Sequence, residues 1–420
     1  MTLHEGADPD IAFFSPDITD VSTIKRADMF IDSGFSVVVF GFRRARYNRD
    51  FRPQWPYVEL GETRDRSYLQ RAMWLLRATI ILTGWRDRLK RASRFYARNI
   101  DQLMLAFIAR ALVRSRAPIT YEVLDIQPTL SGEDWRARLL RFIERLLLKR
   151  VSLLVVSSPG FIRNYFEPMQ VYRGDWFLLE NKLDAQAATA MSAVRKNLPT
   201  LADRKSPQAR KYRWVVSYAG LIRGQRTFDL IRRLARRFED EVLFKFHGVL
   251  TTVDPLEFQA AVAEQENMLY CGEYVSPRDL ADIYRDTDFV WALDLENIDG
   301  NSRWLLPCRL YEAGYLGLPC LAARDFEVGR KIEELRAGWT FPAPFEAALS
   351  SFFATVTPDE YEETRRRVAS LPPNAFLSKD ETSAFCQYLS RDEAGGNFPP
   401  YGSYRTRARQ LLPEDLVLRE

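Results

Sequence analysis

The 420-residue chain has only two histidines, His4 and His247, and four cysteines, Cys271, Cys308, Cys320 and Cys386. Neither set has the spacing of a metal or disulfide framework, so no metal site is expected and the thiols are expected to be reduced. No GxGxxG follows the strand that opens either half, and GxxxxGK followed by Ser or Thr occurs nowhere. These gaps disfavour a dinucleotide oxidoreductase and a P-loop ATPase, and no cofactor is expected. The start, MTLHEGADPDIAFFSPD, places acids where an export signal needs cations and lacks an apolar core, so the expected location is cytoplasmic. The longest nearly uncharged run, Ala72 to Trp85, is short of the ~20 apolar residues that span a bilayer. No repeat of solenoid period is present.

What is present is an ordinary globular composition, 46% hydrophobic and 28% charged, in a chain long enough for two domains. The net charge of +4 is unevenly placed: residues 61–120 hold thirteen Arg or Lys against four acids. An in-plane helix with Trp74 and Trp85 at the interface, followed by the basic Arg86–Arg94, would suit an anionic membrane surface. The competing reading is a buried helix followed by a solvated basic one. No nucleic-acid-binding motif accompanies the charge, and no nucleic acid partner is expected.

Short apolar strands alternate with helical patterns throughout. In the first half these are Ile11–Ser15, SVVVFGF, Arg94–Asn99, Ile119–Asp125, Ser152–Ser158 and Phe177–Asn181. In the second they begin at WVVSYAG, Trp214–Gly220, and continue through VLFKFHG, MLYCGEY and DFVWALD to Gly338–Phe341. Such alternation predicts an α/β protein of two doubly wound, Rossmann-like domains facing a cleft. The expected divisions are a first domain at 1–190, a linker at 191–211, a second domain at 212–372, and a crossover helix and tail at 373–420. His247 is read as a packed residue near a strand end, and His4 has no evident partner.

The most informative stretch is GNSRWLLPCRLYEAGYLGLPCLA, Gly300–Ala322. Pro307 suits the start of a helix, whose free amides and positive dipole end favour an anion. Arg309 and Glu312 lie three residues apart on one face of that helix. They could place a cation for a diphosphate beside a carboxylate for sugar hydroxyls, or form a plain surface ion pair. Gly300-Asn301-Ser302 offers donors just before it. The first strand of the second half runs into Gly220-Leu-Ile-Arg223-Gly-Gln-Arg226, where glycine admits a ligand close to the backbone and two arginines can neutralise phosphates. Gly248, and Gly272 with Tyr274, end the next two strands on the side where such sheets bind ligands.

Pro307, Arg309, Glu312, Gly317 and Pro319 together resemble the C-terminal-domain signature of GT-B glycosyltransferases, especially glycosyltransferase family 4 and its exopolysaccharide-building relatives of the succinoglycan and xanthan type. The resemblance implies a GT-B fold whose final helices return to the first domain. It implies that Arg309 with Arg223 or Arg226 holds the donor diphosphate, Glu312 the ribose and Tyr274 the base. The donor it implies is a nucleotide sugar, UDP-linked by family habit. Its acceptor is a lipid-linked saccharide, met on the inner face of the cytoplasmic membrane. Many retaining members carry a second Glu eight residues before the first; here that position is Trp304, which speaks against retention and favours inversion. An inverting transfer needs a base in the first half. Asp125, at the end of its strand, is the best-placed carboxylate, and Glu122 a weaker one. Asp17, Asp20 and Asn99 could line the acceptor site or cap helices. Two alternatives remain open: a non-catalytic GT-B protein that binds nucleotide sugars or acts as a scaffold, and a sugar-nucleotide epimerase.

Overall fold

The computed structural model describes residues 9–44, 51–63, 68–196, 206–393 and 409–411. His4, Arg64, Arg66 and the 395–420 tail apart from 409–411 lie outside the described residues. The chain forms two compact units, Met1–Leu179 with Glu381–Glu420, and Glu180–Asp380.

The first unit is a parallel sheet of β1 (Ile11–Ser15), β2 (Val37–Arg44), β3 (Tyr57–Thr63), β4 (Arg94–Arg98), β5 (Ile119–Val123), β6 (Leu153–Val156) and β7 (Asp175–Leu178), in the order 7-6-5-4-1-2-3. The short Arg409–Leu411 adds in parallel to β7. The order reverses between β1 and β4, so the loops after these strands open at the switch point, where such sheets bind ligands. The sequence reading passed over β3. Its YVELGET carries Glu59 and Glu62, and among the described residues it pairs on one side only, with β2, where Arg43 reaches Glu59 at 3.2 Å. An edge strand can carry such charges because one side of it remains in water.

Tyr121 and Glu122 are neighbours on β5 and so project to opposite faces. Tyr121 donates to Glu144 of the helix Trp135–Leu148 at 2.8 Å, while Glu122 meets Arg26 of the helix Val21–Asp32. Helices thus cover both faces. The last helix, Lys379–Glu393, contributes Phe385, Cys386 and Leu389 to the core that holds Phe13, Phe30 and Tyr96, which is the expected return to the first unit.

The second unit is a parallel sheet of β8 (Trp214–Ile222), β9 (Val242–Leu250), β10 (Met268–Tyr270), β11 (Phe289–Trp291), β12 (Cys320–Ala323) and β13 (Gly338–Phe341), in the order 10-9-8-11-12-13. Its switch point lies between β8 and β11. The expected 191–211 connection begins inside a helix, Ala185–Lys196, whose Ala187 and Met191 are buried in the second core. Alanine-rich sequence with little apolar periodicity hides such a helix, because small side chains can be buried without making a stripe.

Candidate nucleotide-sugar site

Signature residues divide by role. Gly317 lies in the left-handed region (φ 69°), and the amide of Leu318 bonds back to the Ala313 carbonyl at 2.9 Å, so the helix Cys308–Tyr315 ends there. Pro319 then starts β12, its carbonyl accepting from the Val290 amide at 3.0 Å. These two positions shape the chain. Pro307 sits just before the helix and its side chain makes no capping bond, while its carbonyl takes the Leu310 amide at 3.1 Å.

Arg309 and Glu312 start from that helix but take different partners. The half-buried Arg309 donates to the Trp291 carbonyl at 3.1 Å, at the end of β11, and its guanidinium lies 4.3 Å from the ring centre of Tyr218 on β8. It therefore bridges the two strands of the switch point. Burial opposes its charge, but Tyr218, Asp294 and Tyr284 outweigh this and raise its pKa above the usual guanidinium value. Glu312 is buried and accepts from the Tyr284 hydroxyl at 2.6 Å. Burial, and then the Glu312 charge, push the hydroxyls of Tyr284 and Tyr274 upward, so both are neutral donors. Tyr274 thus shares the electrostatic environment of Glu312 and Arg309.

Glycines form the floor. Gly220 and Gly248 are register partners on β8 and β9, and the Gly248 amide bonds the Gly272 carbonyl at 2.8 Å. Gly248 has φ 125°, and a Cβ there would lie 1.8 Å from the Gly220 oxygen, so only glycine fits. A Cβ on Gly220 would come within 3.5 Å of Arg309 Nη2, which puts the glycine row beside the cation.

Asn301 and Ser302 are buried in a short helix, Asn301–Trp304, and the Ser302 hydroxyl is taken by the Asn297 amide at 3.1 Å. Trp304 is buried as well. Arg223 is engaged by Asp294 at 2.8 Å and Glu296 at 3.4 Å. Arg226 is exposed in the first turn of the helix Gln225–Arg237. His247 is buried. That environment, and then Lys245, push its imidazole down to about 4, and a neutral packed ring matches the sequence reading.

In the first unit, the expected acceptor residues follow three adjacent strands. Asp17 and Asp20 come after β1, Asn99 after β4 and Asp125 after β5. Asp17 is buried and accepts from the amide and hydroxyl of Thr19, at 2.9 and 2.7 Å. Asp20 and Asn99 both stand at helix N-caps, yet neither side chain makes the capping bond. Asn99 holds φ 69° and ψ 159°, a strained backbone that clusters at functional sites. Asp125 is exposed. Glu122 is fully buried between Arg98, at 2.7 Å, and Arg26, which despite burial hold its carboxyl down to about 2. It is a structural ion pair.

Sequence reasoning missed Tyr218, Tyr284 and Asp294. Asp294 had a signal, being an acid just past a strand. The pairing of Tyr284 with Glu312 had none.

These two sheets and their connections define the GT-B fold, and no family model matches the chain. It resembles sucrose-phosphate synthase from Thermosynechococcus elongatus with a TM-score of 0.67 and 13% identity, over 92% of this chain and 99% of that one. Anabaena Alr3699/HepE, solved with UDP and glucose, aligns at TM-score 0.63 and 14% identity over 91% and 100%. WaaG, a glycosyltransferase involved in lipopolysaccharide biosynthesis, aligns at TM-score 0.59 and 13% identity over 89% and 98%. Among curated proteins, the chain is similar to the succinoglycan biosynthesis protein ExoL of Rhizobium meliloti, 29% identical over 386 residues, 91% of this chain and 93% of that protein.

Proposed function

We propose that this protein is a glycosyltransferase of exopolysaccharide assembly. It moves a sugar from a UDP-linked donor to a lipid-linked saccharide on the inner face of the cytoplasmic membrane, with inversion. The observation that carries this reading is Arg309 and Glu312 on one helix whose N-cap is Pro307, with Arg309 beside a glycine row at the switch point of a sheet. Similarity to ExoL supplies the polysaccharide context.

In the reaction, an acceptor hydroxyl passes its proton to the Asp125 carboxylate and its oxygen bonds the anomeric carbon from the face opposite the leaving group. The bond from that carbon to the diphosphate breaks, and the nucleoside diphosphate departs with the electron pair. Arg309, Arg226 and the positive end of the Cys308–Tyr315 helix hold the developing charge, which is where fixed donors accelerate a transfer most. Glu312 holds the ribose hydroxyls and Tyr274 stacks on the base. Asp17, Asp20 and Asn99 orient the acceptor. Inversion is favoured by Trp304, which stands where many retaining relatives carry an acid.

A thermal-shift panel of nucleotide sugars tests the donor, since a ligand at 100 times its Kd stabilises by about 2.7 kcal/mol. UDP and one UDP-sugar are expected to shift the melt; no response to any member overturns the reading. Because a UDP-N-acetylglucosamine 2-epimerase also aligns, at TM-score 0.56, conversion of the donor without acceptor is the outcome that selects the alternative.

A further inference from the structure

The helix Trp135–Leu148 carries two apolar faces. One, with Ala137 and Leu148, is buried in the first unit. The other is in water: Trp135 is 68% exposed, Phe142 55%, Leu139 49% and Leu146 42%. Steps of four, three and four residues put these side chains in one stripe along the helix. A solvated helix face is normally polar, so a large aromatic–aliphatic stripe marks a surface with an occupant. Exposed Arg136, Arg138, Arg145, Lys149 and Arg150 flank it, and the exposed acids Glu133 and Asp134 lie only at its start. Neighbouring helices also expose apolar side chains. Ile100–Leu112 packs against both Trp135–Leu148 and Tyr68–Thr83, and Ile108, Leu76 and Ile80 are exposed on them. Arg77, Arg86, Lys90 and Arg91 are exposed around that end, with one exposed acid, Asp87, among them.

We infer that this layer of the first unit, centred on Trp135–Leu148, seats the protein on an anionic lipid surface. Apolar side chains enter the acyl boundary and arginines meet the headgroups. The occupant follows from charge complementarity: a stripe bordered by cations on both sides suits an anionic bilayer, whereas a second copy would bring like charges together. Among the described residues no helix is long and apolar enough to cross a membrane, which leaves in-plane seating as the mode. The inference rests on the membrane-surface reading above and relocates its anchor. Trp74 packs on Gly61 and Trp85 lies edge-on to Phe40 at 6.2 Å, so the tryptophans of the 72–85 run turn inward.

The test sediments the full chain with vesicles of phosphatidylglycerol and phosphatidylcholine in equal parts, or of phosphatidylcholine alone, at roughly 0.05 M and 0.5 M salt. Binding to the anionic vesicles at low salt is expected. Leu139→Ser with Phe142→Ser lowers the partition about tenfold or more, and Arg138→Glu with Arg145→Glu removes the preference for anionic lipid. A UDP thermal shift without vesicles, equal in parent and variants, shows that the variants are folded. Variants that bind vesicles as the parent does overturn the inference. So does a parent that dimerises through this stripe in sedimentation velocity and ignores vesicles. A parent that binds vesicles but shows no UDP response overturns the glycosyltransferase reading alone.

Discussion

The two units treat the polar groups at their strand ends differently. In the second, Arg309 is held by a carbonyl and a ring face and Glu312 meets the neutral Tyr284. In the first, Glu122 lies between Arg98 and Arg26, and Asp17 is occupied by Thr19. The difference follows from what each end is proposed to bind. A diphosphate brings fixed negative charge, so its site needs cationic and amide donors aimed before it arrives. A sugar hydroxyl is neutral, and most charges around it can serve the fold, with Asp20 and Asp125 at the surface.

The largest expected effect breaks that comparison on the acceptor side. Asp125→Asn keeps the shape of the exposed carboxylate but removes its basicity, so transfer should fall about 10²–10⁴-fold with UDP affinity unchanged. NMR of the product anomer accompanies the rate. A retained anomer defeats inversion, and a near-normal rate defeats Asp125 as the base.

Next comes stability in the first unit, where two fully buried glutamates have opposite surroundings. Glu122, with its carboxyl held at about 2 by Arg26 and Arg98 against an ordinary 4.5, stabilises the fold fully above pH 4.5, and this contribution of about 3 kcal/mol is lost as pH falls toward 2. Burial moves Glu144 the other way, so its contribution is present below the ordinary carboxylate range and lost as pH rises through its raised value. Glu122→Gln should cost about 3–5 kcal/mol near neutral pH by leaving the buried Arg98 and the half-buried Arg26 uncompensated. Glu144→Gln should cost less there, because burial, which raises the Glu144 pKa, disfavours the charge that the amide lacks. Denaturant midpoints at several pH values check both. Equal losses would mean that the two sites do not differ electrostatically.

On the donor side the effect is smaller and specific to the ligand. Glu312→Ala removes a charged hydrogen-bond acceptor from the proposed ribose site and should weaken UDP by about 1.5–3 kcal/mol, read by calorimetry in a folded variant. Unchanged affinity would remove Glu312 from the site.

Much of this was legible in sequence, for reasons that particular residues show. β8 and β9 read as strands because both faces are buried and the runs WVVSYAG and VLFKFHG are nearly continuous apolar sequence. Gly317 and Pro319 mark a helix end by rules that act over three residues. Glu312 was visible as a candidate from its place in the helix, but its Tyr284 partner lies 28 residues away and meets it only in the folded sheet. Glu122 shows the limit from the other side. Its carboxylate at a strand end looked available, and only the approach of Arg26, 96 residues away in sequence, made it structural.

The smallest expected effect ranks the two arginines that the sequence left equal. Arg223 already faces Asp294 and Glu296, so its charge is largely spent on the loop. Arg226 is exposed in the first turn of Gln225–Arg237, where Gly224, with φ 83°, supplies no side-chain cap and its carbonyl takes the Thr227 and Phe228 amides. An exposed cation contributes modestly and through a screened field, so Arg226→Ala should weaken UDP about three- to tenfold at low salt and less at high salt. Arg223→Ala should act instead through the loop, lowering the melting temperature and changing affinity without that salt dependence. Titrations at two salt concentrations, with melting curves for each variant, separate the cases. A salt-sensitive loss confined to Arg223→Ala would move the phosphate contact to that residue and make its carboxylate partners a latch that the ligand opens.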